Sequence, residues 1–366
     1  MTIGTVREIK TEETRVGLIP STIAKLKEKG HRVLVEKNAG LLAGIKDQMF
    51  QAAGAEVFSS AAEIWKESNL VIKVKEPQEA EYGLLRKDQI LFTYFHFASN
   101  LSMTDVLIKK GVNCLAYELV EHKGNLPLLT PMSEIAGRLA AQEGAEYLKK
   151  NNGGKGLLLS GAAGIAPGKA IVIGAGVVGI NAARIAAGLG AEVTILDVNL
   201  ERLRYLESVL LFNCRLIYSN QENLLKEIKA ADLIIGAVLI PAAAAPRVIL
   251  KEDLKLMEEG TVLVDVAIDQ GGCFETSRPT SHNHPVYEIN HIIHYCVPNM
   301  PAAVPKTSTY ALNYATAPYI LALAETGGDL YELDQPRALY SDLKSGLAVY
   351  NGEITNQVLA GVLRKN

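Results

Sequence analysis

The stretch "KAIVIGAGVVGINAARIAAGLGAEVTILD", residues 169 to 197, decides the fold. An apolar run ends at Ile173, and Gly174, Gly176 and Gly179 follow in G-x-G-x-x-G spacing; a helical segment, a second apolar run and Asp197 come next, with Asp197 lying 23 residues beyond Gly174. The first glycine permits a tight turn, the second lets backbone approach a pyrophosphate, and the third lets helix and strand pack closely while the helix N-terminus attracts the anion. Asp197 would accept hydrogen bonds from ribose hydroxyls, which favours NAD over NADP; Arg202 and Arg204 lie close by and weigh the other way. A lone glycine motif is weak, since its ordinary reading is a glycine-bearing strand-to-helix turn. Here the strand before, the helix after and the acid at the right distance agree.

Outward from this stretch the alternation continues. "LERLRYLESVL" reads as a helix, and "ADLIIGAV" and "TVLVDVAI" read as strands, which makes a doubly wound sheet. A separate series precedes it: "GTVREI", "PSTIAKLKEKG", "HRVLVEK", "KDQMFQAAG", "LVIKVKEP", "QILFTYFHF", "TDVLIKKG" and "VNCLAYELV" alternate strand and helix patterns. "SEIAGRLAAQEGAEYLKK" predicts a long helix N-capped by Ser133, and from Lys306 "TSTYALNYATAPYILALAETGG" predicts a second long helix leading to a tail that packs on the first domain. The expected fold is α/β, with two doubly wound Rossmann-like domains flanking a catalytic cleft and linked by long helices. Residues 1–128 with 306–366 would form the substrate domain and 129–305 the NAD-binding domain.

Composition narrows the function. A chain of 366 residues with 48% hydrophobic residues and a formal charge of -3 has no basic field for nucleic acid or anionic lipid. The longest apolar stretch, "LIIGAVLIPAAAAP", is broken by Gly236 and Pro241 and is too short to span a bilayer. "MTIGTVREIK" lacks the pattern of an export signal. Cys114, Cys214, Cys273 and Cys296 are scattered without a C-x-x-C pair, as in reduced cytosolic thiols. A cytoplasmic protein acting on small molecules is expected, with neither nucleic acid nor membrane as partner.

A dehydrogenase also needs cations for an anionic substrate and a group that moves protons near neutrality. Lys75 and His96 fall where strands give way to loops, the edge that forms the ligand crevice in open α/β sheets, and Arg15 can fork onto a carboxylate there. Taken singly, a terminal Lys or Arg is usually solvated and a His among aromatics is often only packed. His282, His284, His291 and His294 suggest a metal, but the first pair sits in a Pro-flanked polar loop, and a solvated loop explains them; no metal site is expected. In "VDVAIDQGGCFET" the strand carries Asp265, read as structural, while Asp269 lies just beyond it at the carboxyl edge, where Gly271 and Gly272 let the chain turn away.

The segments "VGLIPSTIAKLKEKGH", "VIKVKEPQ", "LFTYFHFA", "LLTPMSEIAGR", "VDVAIDQGGCFETSRPT", "HYCVPNMPAAVP" and "TSTYALNYAT" resemble bacterial alanine dehydrogenases, in order and over nearly the whole chain. The resemblance implies NAD-dependent oxidative deamination of L-alanine to pyruvate and ammonium, and the reverse, in a homo-oligomer, commonly a hexamer. It implies that Arg15 and Lys75 bind substrate oxygens, that His96 is the acid/base, and that Asp269 is its partner across the interdomain cleft. The implied cofactor residues are Ser133, Asp197, Arg202, Ser219, Val238, Leu239 and Asn299, with the loop glycines.

Departures from that pattern include "PAAAAP" where the family usually has "PGAKAP", and alanine after proline in "NMPAAVP" where glycine is usual. The added methyl groups restrict the backbone. Three other readings share the architecture: the NAD(H)-binding subunit of a proton-translocating transhydrogenase, a cofactor-binding scaffold without turnover, and a dehydrogenase acting on glycine or a 2-hydroxy acid. His96 and Lys75 together, with no membrane-spanning extension, weigh against the first.

Overall fold

The computed structural model describes residues 1–97, 100–238, 245–356 and 359–361. Its contacts divide the chain into two compact units, Met1–Met132 with Ala302–Asn366, and Ser133–Pro301.

The first unit opens with β1 (Thr2–Thr5), α1 (Pro20–Glu28), β2 (Arg32–Glu36), α2 (Asp47–Ala52), β3 (Glu56–Phe58), α3 (Ala61–Glu67), β4 (Leu70–Ile72), β5 (Ile90–Thr93), α4 (Leu101–Lys110) and β6 (Asn113–Ala116). Strands β1 to β6 are parallel, with Ile3 beside both Val33 and Leu70, and Ile90 beside Asn113. Ile3, Val33, Val71, Leu91 and Cys114 are all buried, as a sheet covered on both faces requires. Helix starts follow local chemistry: Pro20 fits the first turn of α1, and the Asn100 side chain accepts the Met103 N–H to cap α4. β1 ends before the expected "GTVREI" run does, because the chain leaves the sheet after Thr5.

α5 (Thr130–Tyr147) begins three residues before Ser133, which corrects the expected cap. Pro131 suits a first turn, where its missing N–H costs nothing, so the helix starts there and Ser133 lies inside it.

The second unit continues with β7 (Lys169–Ile173), α6 (Val177–Gly188), β8 (Glu192–Asp197), α7 (Leu200–Glu207), β9 (Cys214–Tyr218), α8 (Gln221–Ile228), β10 (Leu233–Gly236), β11 (Val262–Asp265), β12 (Val286–Ile289) and β13 (Ile292–Tyr295). Its strand order is β12-β13-β11-β10-β7-β8-β9, parallel except for the β12–β13 hairpin. The order reverses between β7 and β10, the switch point at which such sheets bind ligands. The hairpin corrects the expectation of a solvated histidine loop for His294 alone, since His282 and His284 lie in the loop before β12 and His291 is exposed. Asn290 and His291 turn it with φ of 52° and 61°, a two-residue loop that needs positive φ at both positions. His294 is thereby buried in β13, where its Nε2 lies 2.8 Å from the Thr276 hydroxyl.

The chain then returns to the first unit through α9 (Pro305–Glu325), α10 (Ala338–Gly346), β14 (Leu347–Tyr350) and β15 (Glu353–Ile354). β14 pairs antiparallel with β6, completing the order β15-β14-β6-β5-β4-β1-β2-β3. Asn313 of α9 donates to the Gly17 carbonyl at 2.7 Å and accepts from the Thr22 hydroxyl at 2.5 Å, which ties α9 to the start of α1. Both units are thus Rossmann-like. Two strand–helix pairs that the patterning did not announce, β3–α3 and β9–α8, place their strands at sheet edges, where half-exposed residues interrupt the apolar run. Among the described residues no helix is long and apolar enough to cross a membrane.

Within the second unit, α5 lies close against α6. A Cβ on Gly137 would overlap the Val178 carbonyl oxygen, whereas one on Gly188 of α6 would meet nothing. Gly137→Ala is therefore expected to cost about 1–3 kcal/mol through overpacking. Gly188→Ala should be neutral or gain about 0.5–1 kcal/mol. Thermal unfolding of both variants checks the contrast.

Candidate active site

In the first unit, Arg15, Lys75 and His96 follow β1, β4 and β5; β1 and β4 flank its order reversal and β5 lies beside β4. Arg15 is 2% exposed and forks onto Glu13, with Nε donating to Oε1 and Nη2 donating to Oε2, both at 2.6 Å. Burial alone would lower its pKa; the Glu13 carboxylate more than reverses this and holds the guanidinium above its ordinary value. The fork occupies one edge of the guanidinium and fixes the direction of the other.

A second buried set supports the loop that carries Lys75. Lys73 Nζ lies 3.1 Å from Glu8 Oε2 and 3.0 Å from Glu81 Oε1. Glu8 Oε1 accepts the Val74 N–H at 2.6 Å, one residue before Lys75. Burial pushes the Glu8 carboxyl up to about 6, against the pull of Lys73. Lys75, itself buried, brings Nζ to 3.4 Å from His96 Nε2. Lys10 pairs with Glu76 at 2.5 Å and adds a further cation.

His96 adopts φ of 52°, the left-handed region that non-glycine residues rarely enter and that clusters at functional positions. Such backbone costs about 1–2 kcal/mol and persists only where neighbours hold it. One neighbour is Glu118, whose Oε1 accepts the His96 N–H at 2.7 Å and the Phe95 N–H at 3.1 Å. The Tyr94 ring stacks on the imidazole with centroids 5.9 Å apart. The imidazole pKa is held well below 6.5, first by desolvation and then by Lys75, Lys10 and Arg15. These two causes differ in weight: the residue is exposed at its surface, so water softens the desolvation, and the cations are the part that persists.

In the second unit the three glycines divide their roles as their spacing implies. Gly174 has φ of 101°, and a Cβ there would lie 2.6 Å from the Ala237 oxygen. A Cβ on Gly179 would overlap the Gly174 carbonyl oxygen, so this residue sets the approach of α6 to β7. A Cβ on Gly176 would meet nothing, which leaves an open approach at the N-terminus of α6 that protein packing does not explain. That opening is shaped for an anionic group. Asp197, ending β8, accepts the Ala175 N–H at 2.6 Å and the Asn199 N–H at 2.8 Å, while Arg202 Nε donates to the Ala175 carbonyl at 2.8 Å. Ser219 donates its N–H to the Asp197 carbonyl at 2.9 Å, and Val238 follows β10 beside Gly174. Leu239 lies outside the described residues. These features fit a dinucleotide.

The two aspartates separate clearly. Asp265 is 1% exposed and accepts the N–H groups of Ala267, Cys273 and Phe274 at 3.0, 2.8 and 3.2 Å and the Ser277 hydroxyl at 2.5 Å. Burial raises its pKa and these donors oppose that. The loop wrapped around it exposes Asp269 in the turn Ile268–Gln270, where Asp269 Oδ2 accepts the Asn299 N–H at 3.4 Å. Asn299, like His96, has positive φ, at 55°. Among the described residues no group of three His, Cys, Asp or Glu side chains is arranged to hold a metal.

Glu13, Glu8 and Glu118 escaped the sequence reading. Glu118 was accessible by the rule that found Lys75 and His96, since it follows a strand at the same edge of the sheet.

Comparison with known proteins agrees with this architecture throughout. Residues 4–136 match the alanine dehydrogenase/PNT N-terminal domain and residues 140–357 match the alanine dehydrogenase/PNT C-terminal domain. An alanine dehydrogenase of Mycolicibacterium smegmatis is 46% identical over 361 residues, covering 98% of this chain and 96% of that protein. A solved structure of an L-alanine dehydrogenase superposes with a TM-score of 0.95 at 47% identity, covering 100% of this chain and 99% of that one. A transhydrogenase structure from Sinorhizobium meliloti shares the fold, with a TM-score of 0.81 at 23% identity, covering 98% of this chain and 99% of that one. With both halves matched in order and such relatives spanning nearly its whole length, the chain belongs to the alanine dehydrogenase/PNT family.

Proposed function

We propose that this protein is an NAD-dependent L-alanine dehydrogenase, interconverting L-alanine with pyruvate and ammonium. The observation that carries the reading is the Lys75–His96 approach of 3.4 Å beside the forked Arg15. It joins carboxylate-binding cations to a neutral imidazole. The likeness to relatives called alanine dehydrogenase supports the same reading. The transhydrogenase likeness, at 23% identity, supports the fold alone.

In this reading Arg15 and Lys75 bind the substrate carboxylate and carbonyl oxygens. His96 removes a proton from the substrate nitrogen and from an attacking water, and returns protons in the reverse direction. Asp269 stabilises positive charge on the nitrogen. Ser133, Gly174, Gly176, Gly179, Asp197, Arg202, Ser219, Val238, Leu239 and Asn299 would hold the NAD cofactor, which would supply the hydride chemistry at the substrate α-carbon. We further propose a cytoplasmic homo-oligomer, a hexamer by resemblance. The exposed side chains of Leu200, Leu211, Phe212 and Tyr218, beside Arg204 and Glu207 in one groove of mixed polarity, suit association.

The test follows NADH absorbance with pyruvate plus ammonium, with pyruvate alone, and with glyoxylate plus ammonium. NADH oxidation is expected only in the first mixture. Equal rates without ammonium would identify a hydroxy-acid enzyme, a rate with glyoxylate and ammonium a glycine enzyme, and NADH binding with no rate a scaffold. His96→Ala should lower kcat by about 10²- to 10⁴-fold, the usual contribution of an acid/base, with NADH affinity retained.

Gly176→Ala provides a second check. Because a Cβ there meets no protein atom, the melting temperature should stay within error while NADH affinity falls about tenfold or more, roughly 1.4 kcal/mol. Calorimetric titration and thermal unfolding read the two quantities.

The pH dependence follows from the cations around the imidazole. His96 must be neutral to accept a proton, so activity in deamination is lost on the acid side, through a pKa below 6.5. Removing a nearby positive charge stabilises the imidazolium and raises that pKa. Lys10→Gln should therefore move the acid limb of kcat/KM upward, less so at high salt, because Lys10 is partly exposed.

A further inference from the structure

We propose that Glu118 is a positioning residue for the acid/base: its carboxylate ties down the Phe95–His96 backbone in the left-handed turn that presents the imidazole to Lys75. This rests on the dehydrogenase reading of His96. After β5 ends at Thr93, the Tyr94 N–H still reaches the Val74 carbonyl at 3.2 Å, but the next two N–H groups turn away from the sheet. Both go to Glu118. Its Oε1 accepts from His96 at 2.7 Å and from Phe95 at 3.1 Å, and its Oε2 lies 3.3 Å from the Phe95 N–H.

The tether has a firm base. Glu118 sits in the tight turn Tyr117–Leu119 directly after β6, next to the fully buried Tyr117. Tyr117 packs edge-on against Phe92 and Tyr94, with centroids 4.4 and 5.0 Å apart, so the turn is braced by the strand whose extension it holds. A carboxylate suits this task because both of its oxygens are acceptors, and N–H bonds to an ionised acceptor are stronger than neutral ones. A glutamine would keep one acceptor and turn an NH2 group toward an N–H. Alanine would leave two backbone donors unsatisfied. A residue at φ of 52° has little intrinsic reason to stay there, so loosening the tether lets His96 drift from Lys75 while the rest of the sheet remains intact.

The experiment compares wild type with Glu118→Gln and Glu118→Ala by hydrogen–deuterium exchange of the peptide spanning Phe95 and His96, and by steady-state kinetics. Faster exchange in that peptide is expected in Glu118→Ala, with an intermediate rate in Glu118→Gln. The kcat should fall about tenfold in the glutamine variant and about a hundredfold in the alanine variant, with the KM for NADH unchanged. Glu118→Gln guards against misfolding, since it preserves shape. Unchanged exchange in both variants, or faster exchange with wild-type kcat, would overturn the proposal. If wild type itself fails to turn over alanine, the dehydrogenase reading falls, and exchange alone then decides whether the tether exists.

Discussion

Charge carried into a protein interior has to be matched there, and this constraint organises the first unit. Arg15 and Lys73 are almost wholly removed from water, and taking such groups from solvent costs several kcal/mol each unless carboxylates accompany them. Glu13 accompanies Arg15, and Glu8 with Glu81 accompanies Lys73. The matching fixes geometry as well as charge. A guanidinium forked onto one carboxylate keeps a single orientation, and a lysine shared between two glutamates anchors the loop on which Lys75 stands. The less buried cations, Lys75 and Lys10, then set the field at His96.

The second unit solves a different problem with fewer charges. Its carboxyl edge keeps an opening and still holds its loops. The opening is at Gly176, and the hold comes largely from one side chain, Asp265, around which residues 267 to 277 are wound by backbone N–H groups. Gly272 can pass close to that carboxylate because a Cβ there would lie 2.6 Å from Oδ2. The exposed Asp269 is carried on this wound segment, so a buried carboxylate with no solvent contact determines where an exposed one stands.

Features written in local order were legible from sequence. The glycine spacing announced the tight turn, the opening and the close helix–strand packing, because the three glycines belong to one strand–helix unit, with Asp197 ending the next strand. Lys75 and His96 were found by a rule about strand ends that needs only strand positions. What depends on distant pairing was hidden. Nothing near Glu118 announces that it meets the Phe95 and His96 N–H groups, whereas Glu13 lies only two residues from Arg15 and was within local reach. Ser133 was misjudged because Thr130 and Pro131 supply an earlier start, and His294 because its burial follows from pairing of β12 with β13 through a turn that contains no glycine. The alanine-rich departure "PAAAAP" falls mostly outside the described residues.

The first sheet draws its strands from sequence before and after residues 133–301: β6 is reached by residue 116, yet its neighbour β14 arrives only at residue 347. During vectorial synthesis residues 133–301 form a continuous segment with every strand of their own sheet in hand, whereas the sheet holding Arg15, Lys75 and His96 waits with one edge unpaired. Closing it spans more than two hundred residues of chain, a contact of very long sequence separation and hence slow to form. The second unit can therefore mature on the ribosome ahead of the unit that carries Arg15, Lys75 and His96. An exposed β6 edge during that interval is the stage at which a nascent chain is most open to wrong pairing.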